Sequence, residues 1–135
     1  MTLLAVSQNE ALARAYVSAF AAGLDPTLDE LADIRCAVSE AVTNCVVHAY
    51  KGWGKPGKIY INARLYSDRT VTVEVIDRGL GIEDVEMAMT PLFTTDSAGE
   101  RSGMGFSVMK SFTDIVKVTS KPSGGTRVFM SKKFS

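Results

Sequence analysis

Ser39-Glu40-Ala41-Val42-Thr43-Asn44-Cys45-Val46-Val47-His48 lies late in a long helical pattern. Glu40, Asn44 and His48 are spaced four apart, so a helix stacks them along one side. At about 100° per residue that row borders the apolar stripe of Ile34, Val38, Ala41, Cys45 and Ala49. The row therefore edges the core, where a fully solvated face would not need it. A carboxylate and a carboxamide one turn apart suit two tasks, a proton acceptor and a metal ligand. A capped or salt-bridged helix flank has the same spacing, so the stretch needs support from elsewhere in the chain.

Outward from it, the elements follow in order. Thr2 to Val6 is a short apolar run, expected as a strand at a sheet edge. Ser7 with Glu10, and Thr27 with Glu30, match the capping box that opens a helix. The first helix runs to Gly23, its expected C-terminal cap; the second runs from Leu28 to about Tyr50. Lys51 to Gly57 is a loop, with Trp53 expected as an aromatic lid over a core edge. Ile59 to Leu65 and Val71 to Val75 alternate apolar and polar residues and form an antiparallel hairpin turned at Ser67-Asp68-Arg69.

The second of these strands ends at Asp77-Arg78-Gly79-Leu80-Gly81-Ile82, whose glycines permit a tight turn and close approach of a planar ligand. Residues 83 to 89 have short helical character, and Pro91 to Ser102 is polar and without period. Gly103-Met104-Gly105-Phe106 then leads into a helix with Phe106, Met109 and Phe112. Glycines at a helix start expose backbone N–H groups, which with the helix dipole can cradle an anion. Ile115 to Ser120 and Thr126 to Ser131 form a closing hairpin. This order predicts one domain over residues 1–135, an α/β two-layer sandwich. Its sheet is expected to be mixed but mostly antiparallel, with helices on one face.

Composition excludes several classes. Fifteen Lys and Arg balance fifteen Asp and Glu, so no global field recruits nucleic acid or a membrane surface. No apolar run approaches the roughly 18 residues of a membrane span. The first basic residue is Arg14, which does not fit a secretory signal. Cys36 and Cys45 fall about 13 Å apart along one helix, beyond disulfide reach. With a single His, a structural zinc site is not expected. The default is a cytoplasmic protein.

Glu/Asn on a helix, Asp-x-Gly-x-Gly after a strand and Gly-x-Gly before a helix are each weak alone. In this order the sequence resembles the GHKL superfamily of ATP-binding proteins. Glu40 to His48 matches its N box, Asp77 to Gly81 and Gly103 to Gly105 its glycine boxes, and Gly125-Thr126 its last box. Ser-Glu-Ala-Val-Thr-Asn, Pro-Leu-Phe-Thr-Thr and Glu-Arg-Ser-Gly-Met-Gly-Phe resemble the anti-sigma factor serine kinases, the sporulation type in particular, with the general-stress type as the alternative.

That resemblance implies a Bergerat-type fold, ATP/ADP with Mg²⁺ as cofactors, a sigma factor as partner and an anti-anti-sigma protein as the substrate phosphorylated on serine. A homodimer is implied too, with neither nucleic acid nor membrane as a direct partner. Asp77 would accept from the adenine amino group and Thr126 would support that end through its hydroxyl or a water. Asn44 would offer an oxygen to Mg²⁺, and Glu40 would be the general base. Gly79 and Gly81 shape the base end. Ser102, Gly103, Met104, Gly105 and Phe106 belong to the phosphate end, with residues 91 to 102 as a lid. Arg101 would meet phosphate or the partner protein, while Thr94 and Thr95 are lid structure or phosphate contacts. His48 is expected as a hydrogen-bonded flank residue.

Two other functions compete. A sigma-binding module could use nucleotide only to set its shape, though the retained Glu40 argues against it. An ATPase could use the same Glu to activate water, though a chain this short lacks the coupling domains such ATPases usually carry. A histidine kinase core is disfavoured, because no dimerisation helix with a phosphorylatable His precedes the domain.

Overall fold

A computed structural model describes residues 1–89 and 105–135. Strand β1 (Thr2–Leu4) is followed by α1 (Gln8–Ala21), a 3₁₀ turn (Ala22–Leu24) and α2 (Leu28–Asn44), which continues as a π-helical turn over Cys45–Ala49. Next come β2 (Lys58–Leu65), β3 (Thr70–Asp77), the short α3 (Val85–Ala88), α4 (Gly105–Phe112), β4 (Ile115–Lys121) and β5 (Gly125–Lys133).

The five strands lie in the order β1-β2-β3-β5-β4, and each neighbouring pair is antiparallel. The expected two-layer architecture and edge position of β1 are present. The parallel pair that a mixed sheet would contain is absent among the described residues. Its reason is topological: β4 does run parallel to β3, but β5 returns between them and separates the two.

Alternation decides which face is buried. Ile59, Ile61, Val71, Val73, Val75 and Met130 point to the helices and are fully or almost fully excluded from water. Against them α2 sets Ile34, Val38 and Val42, spaced four apart, with Ala37 and Ala41 between. Helix α1 adds Ala13, Val17 and Ala21, whose small side chains let it lie close against α2. Burial of each Val or Ile contributes about 1.5–3 kcal/mol, so this one face carries most of the fold's stability.

Helix ends show where local rules hold and where they yield. Thr27 caps α2 as expected: its Oγ1 accepts from Glu30 N (3.1 Å) and Glu30 Oε1 accepts from Thr27 N (2.9 Å). The box expected at Ser7 does not form. Ser7 is already helical, and Glu10 turns instead to accept from the Ser39 hydroxyl and to pair with Arg14 at 3.1 Å. Gly23 is not the cap of α1 either; the chain leaves the 3₁₀ turn through Asp25, which adopts the left-handed conformation at φ 52°.

Candidate functional site

The site is built where α2 ends, β3 ends and the β4–β5 hairpin turns. Strand register aligns Asp77 of β3 with Thr126 of β5, and Thr126 with Ser120 of β4, as one row across the sheet. Below that row the loop after β3 is fastened on two sides. Leu80 N donates to the Ala49 carbonyl at the end of the π turn (2.7 Å), and Ser123 N donates to the Leu80 carbonyl (2.6 Å). Ile82 N donates to Ser120 Oγ (2.7 Å).

This double fastening explains the two glycines. A Cβ on Gly79 would stand 1.9 Å from the Ala49 carbonyl oxygen, so no other residue fits without moving α2. Gly81 has φ +76°, and a Cβ there would stand 1.9 Å from the Lys121 carbonyl oxygen. The loop is thus a backbone sandwich between a helix terminus and a hairpin, and only Gly lets the three come together.

Asp77 is held under it. Its Oδ1 accepts from Gly79 N at 3.0 Å, and its Oδ2 accepts from the Cys45 thiol at 3.5 Å. Only 6% of Asp77 is exposed. Burial pushes its carboxyl above the usual range, and the bonds from Gly79, Cys45 and Thr126 oppose that shift. Cys45 is pushed well up by burial and by the Asp77 charge, so its thiol stays protonated and donates. Tyr50 braces the same turn, accepting from Arg78 N (2.9 Å) and donating to the Lys58 carbonyl. Trp53 packs edge-on against Tyr50 with ring centroids 4.7 Å apart, the lid expected from the sequence.

Above Asp77 opens a cavity of about 570 Å³. Asp77 and Thr126 line it from β3 and β5, and Asn44 and His48 from α2 and the π turn. Ile82, Met87 and Ala88 form an apolar wall, and Gly105 with Phe106 closes it from α4. Glu40 is next to this boundary: a Cβ on Gly105 would lie 3.4 Å from the Asn44 carboxamide and 3.5 Å from Glu40 Oε2. Glu40, Asn44 and the start of α4 therefore meet at one point, and Gly105 keeps that point open.

Of the residues singled out from sequence, Asn44, Asp77, Gly81, Gly105, Phe106 and Thr126 line the cavity. Gly79 sits behind its floor, and Glu40 adjoins Asn44 at its edge. Thr94, Thr95, Arg101, Ser102, Gly103 and Met104 lie outside the described residues. His48, expected as a hydrogen-bonded flank residue, lines the cavity from the π turn. Cys45, Ser120 and Met87 were not singled out. Cys45 had a signal in its place on the apolar stripe beside Asn44, whereas nothing local marks Ser120.

The histidine kinase-like ATPase domain model matches residues 5–132. The chain is 57% identical over 132 residues to the anti-sigma F factor of Caldanaerobacter subterraneus subsp. tengcongensis, covering 98% of this chain and 90% of that one. It is 53% identical over 134 residues to the anti-sigma F factor of Lysinibacillus sphaericus, covering 99% and 90%. The chain belongs to the anti-sigma F factor family of histidine kinase-like ATPase domains. A crystal structure of the RsbU and RsbW domains of a Mycobacterium tuberculosis protein superimposes with TM-score 0.68 at 22% identity, over 99% of this chain and 32% of that one. That likeness is one of fold. Within the anti-sigma F factor family, this chain's cavity, buried carboxylate and glycine turn form one connected unit. Among the described residues no helix is long and apolar enough to cross a membrane.

Proposed function

We propose that residues 1–135 form one domain that binds a sporulation-type sigma factor and, with ATP, phosphorylates a serine of its anti-anti-sigma antagonist in the cytoplasm, as a homodimer. The observation that carries this reading is the buried Asp77 carboxylate in a 570 Å³ cavity that Asn44 and the start of α4 also line, with Glu40 beside Asn44 and Gly105 at its edge. A cavity of that size suits a nucleotide. The names of its relatives support the sigma-binding half, and the histidine kinase-like ATPase family supports a kinase-type activity.

Each residue then has a task. Asp77 and Thr126 receive the adenine amino group, and Ile82, Met87 and Ala88 cover the ring. Gly79 and Gly81 hold the loop that supports the base. Gly105, the first residue of α4, offers its backbone N–H to the phosphates with Phe106 beside it; Ser102, Gly103 and Met104 are assigned to that end from sequence alone and lie outside the described residues. Arg101 is assigned to phosphate or the partner protein, and Thr94 and Thr95 to lid structure or phosphate, from sequence alone; all three lie outside the described residues.

The donor set at the Glu40–Asn44 edge fits Mg²⁺, since both side chains offer oxygen and the hard cation takes few protein ligands when phosphate is present. Asn44 would hold the ion, which when bound spreads charge on the phosphate oxygens. Glu40 accepts the proton of the attacking serine hydroxyl as its oxygen bonds to the γ-phosphorus. The bond from that phosphorus to the β–γ bridging oxygen breaks, and ADP leaves with that electron pair.

The test combines the purified chain, a sigma factor, ATP and Mg²⁺ with the antagonist protein. Expected are a stable complex with the sigma factor and one phosphoserine on the antagonist by mass spectrometry. Sigma binding and nucleotide binding with no phosphoserine would reduce the protein to a binding module; phosphate release without an acceptor would make it an ATPase.

A further inference from the structure

Ser120 sits outside the residues that face the ligand, yet three polar groups converge on its hydroxyl. It accepts from Ile82 N at 2.7 Å, lies 2.9 Å from the Gly125 carbonyl oxygen, and lies 2.8 Å from Thr126 Oγ1. A serine hydroxyl has one proton and two lone pairs. The Ile82 N–H fills one lone pair. The Gly125 carbonyl can only accept, so it takes the Ser120 proton. One lone pair remains, and the contact with Thr126 is made only if Thr126 donates into it.

The Thr126 proton is then spent away from the cavity, which Thr126 lines. With its proton committed to Ser120, the Thr126 hydroxyl can only accept from a group in the cavity. Beside it in strand register stands the Asp77 carboxylate, also an acceptor. The base end therefore presents acceptors from two side chains.

We propose that Ser120 is a positioning residue that fixes the polarity of the Thr126 hydroxyl, so that the cavity selects a base edge carrying an exocyclic amino group over one carrying a carbonyl. This rests on the nucleotide-binding reading above and deepens it, adding a determinant of base specificity that does not itself touch the base. A carbonyl-bearing purine would meet lone pairs with lone pairs, and buried acceptors without donors are costly. With Ser120 removed, the Thr126 hydroxyl is free to turn and donate, and half of that selection disappears.

The test measures dissociation constants of ATP and of inosine triphosphate, which carries a carbonyl where ATP has its amino group. Calorimetry on the intact chain, Ser120→Ala, Ser120→Thr and Thr126→Val is the readout, with circular dichroism to verify folding. The unaltered chain is expected to favour ATP. Ser120→Ala should shrink the ATP-to-inosine ratio by about five- to tenfold, the worth of one hydrogen bond. Ser120→Thr, which restores a hydroxyl, should keep it. Thr126→Val, which removes the oxygen outright, should also shrink it and remains decisive if Ser120→Ala does not fold.

Equal weakening of both nucleotides by Ser120→Ala, with the ratio unchanged, would mean the serine only supports the loop and would overturn the proposal. So would an unchanged ratio in Thr126→Val, or no preference in the unaltered chain. Failure of the unaltered chain to bind either nucleotide would instead overturn the functional reading on which the proposal stands.

Discussion

The Cys45 thiol donates to Asp77 Oδ2 across 3.5 Å, tying the first residue of the π turn to the last residue of β3. With the bonds from Gly79 N and Thr126, this contact leaves one of the carboxylate's four lone pairs for a ligand. Asp77→Asn replaces one acceptor oxygen with a donor that would oppose both the thiol and an adenine amino group. ATP affinity is expected to fall by about 3 kcal/mol, roughly a hundredfold, the value of a hydrogen bond to a charged group. Calorimetry at neutral pH checks it, with thermal melting to show that the variant is folded.

Acidification should weaken ATP binding earlier than an ordinary aspartate would. Burial raises the Asp77 carboxyl above its usual 3.8, so the acceptor is lost as pH falls through that raised value. The sign for stability is opposite. A carboxyl with a folded pKa above its unfolded one costs stability progressively as pH rises from the unfolded to the folded value. Asp77→Asn should therefore gain melting temperature relative to the parent over that window. Fluorescent-nucleotide titration and melting, both against pH, measure the two effects.

Gly79→Ala should be among the most damaging single-methyl changes in the chain. Its Cβ would enter the Ala49 carbonyl at 1.9 Å, and that oxygen is the one receiving Leu80 N. Overpacking of backbone against backbone has no soft side chain to yield, so a loss of about 3 kcal/mol is expected. Denaturant unfolding gives the stability, and loss of nucleotide binding at temperatures where the variant remains folded gives the effect on the site.

Glu30 joins the start of α2 to the chain's last residue. Its Oε1 accepts from Thr27 N at 2.9 Å and its Oε2 from Ser135 N at 2.7 Å. These backbone donors, Thr27 first and then Ser135, lower its pKa from 4.5 to about 2. A depressed carboxyl contributes stability that is present above its unfolded pKa and disappears as pH falls through the folded value. Glu30→Gln should thus melt below the parent at neutral pH, with the gap closing as pH falls from about 4.5 toward 2. Thermal scans of both proteins across that range decide it.

Local patterns carried much of this fold. Alternation in residues 59–65 and 71–75 gave the central hairpin because one face of each strand packs on the helices, and the Thr27–Glu30 box formed because Ser135 N takes only Glu30 Oε2 and leaves Oε1 for Thr27 N. Where a distant partner competes, the local reading failed. Glu10 left Ser7 for Ser39 and Arg14, contacts that exist only once α1 lies on α2. The widening of α2 into a π turn at Cys45 has no mark in an uninterrupted helical pattern, yet that turn delivers the Ala49 carbonyl to Leu80. At the site, Asp77, Gly79 and Gly81 were legible because they are neighbours in sequence. Ser120 was not, because its three partners come from 5 to 38 residues away by strand pairing and a loop crossing.

The central claim is that Glu40 takes a proton during phosphoryl transfer at a site assembled around Asp77. Radiolabelled ATP with Mg²⁺ and an anti-anti-sigma substrate, run on the unaltered chain beside Glu40→Ala, tests it most directly. The account predicts label on a substrate serine, ATP bound equally by both proteins, and a transfer rate lower by about 10²–10⁴ in Glu40→Ala. Full transfer by Glu40→Ala would contradict the base assignment, and no label from the unaltered chain with ATP bound would contradict the kinase.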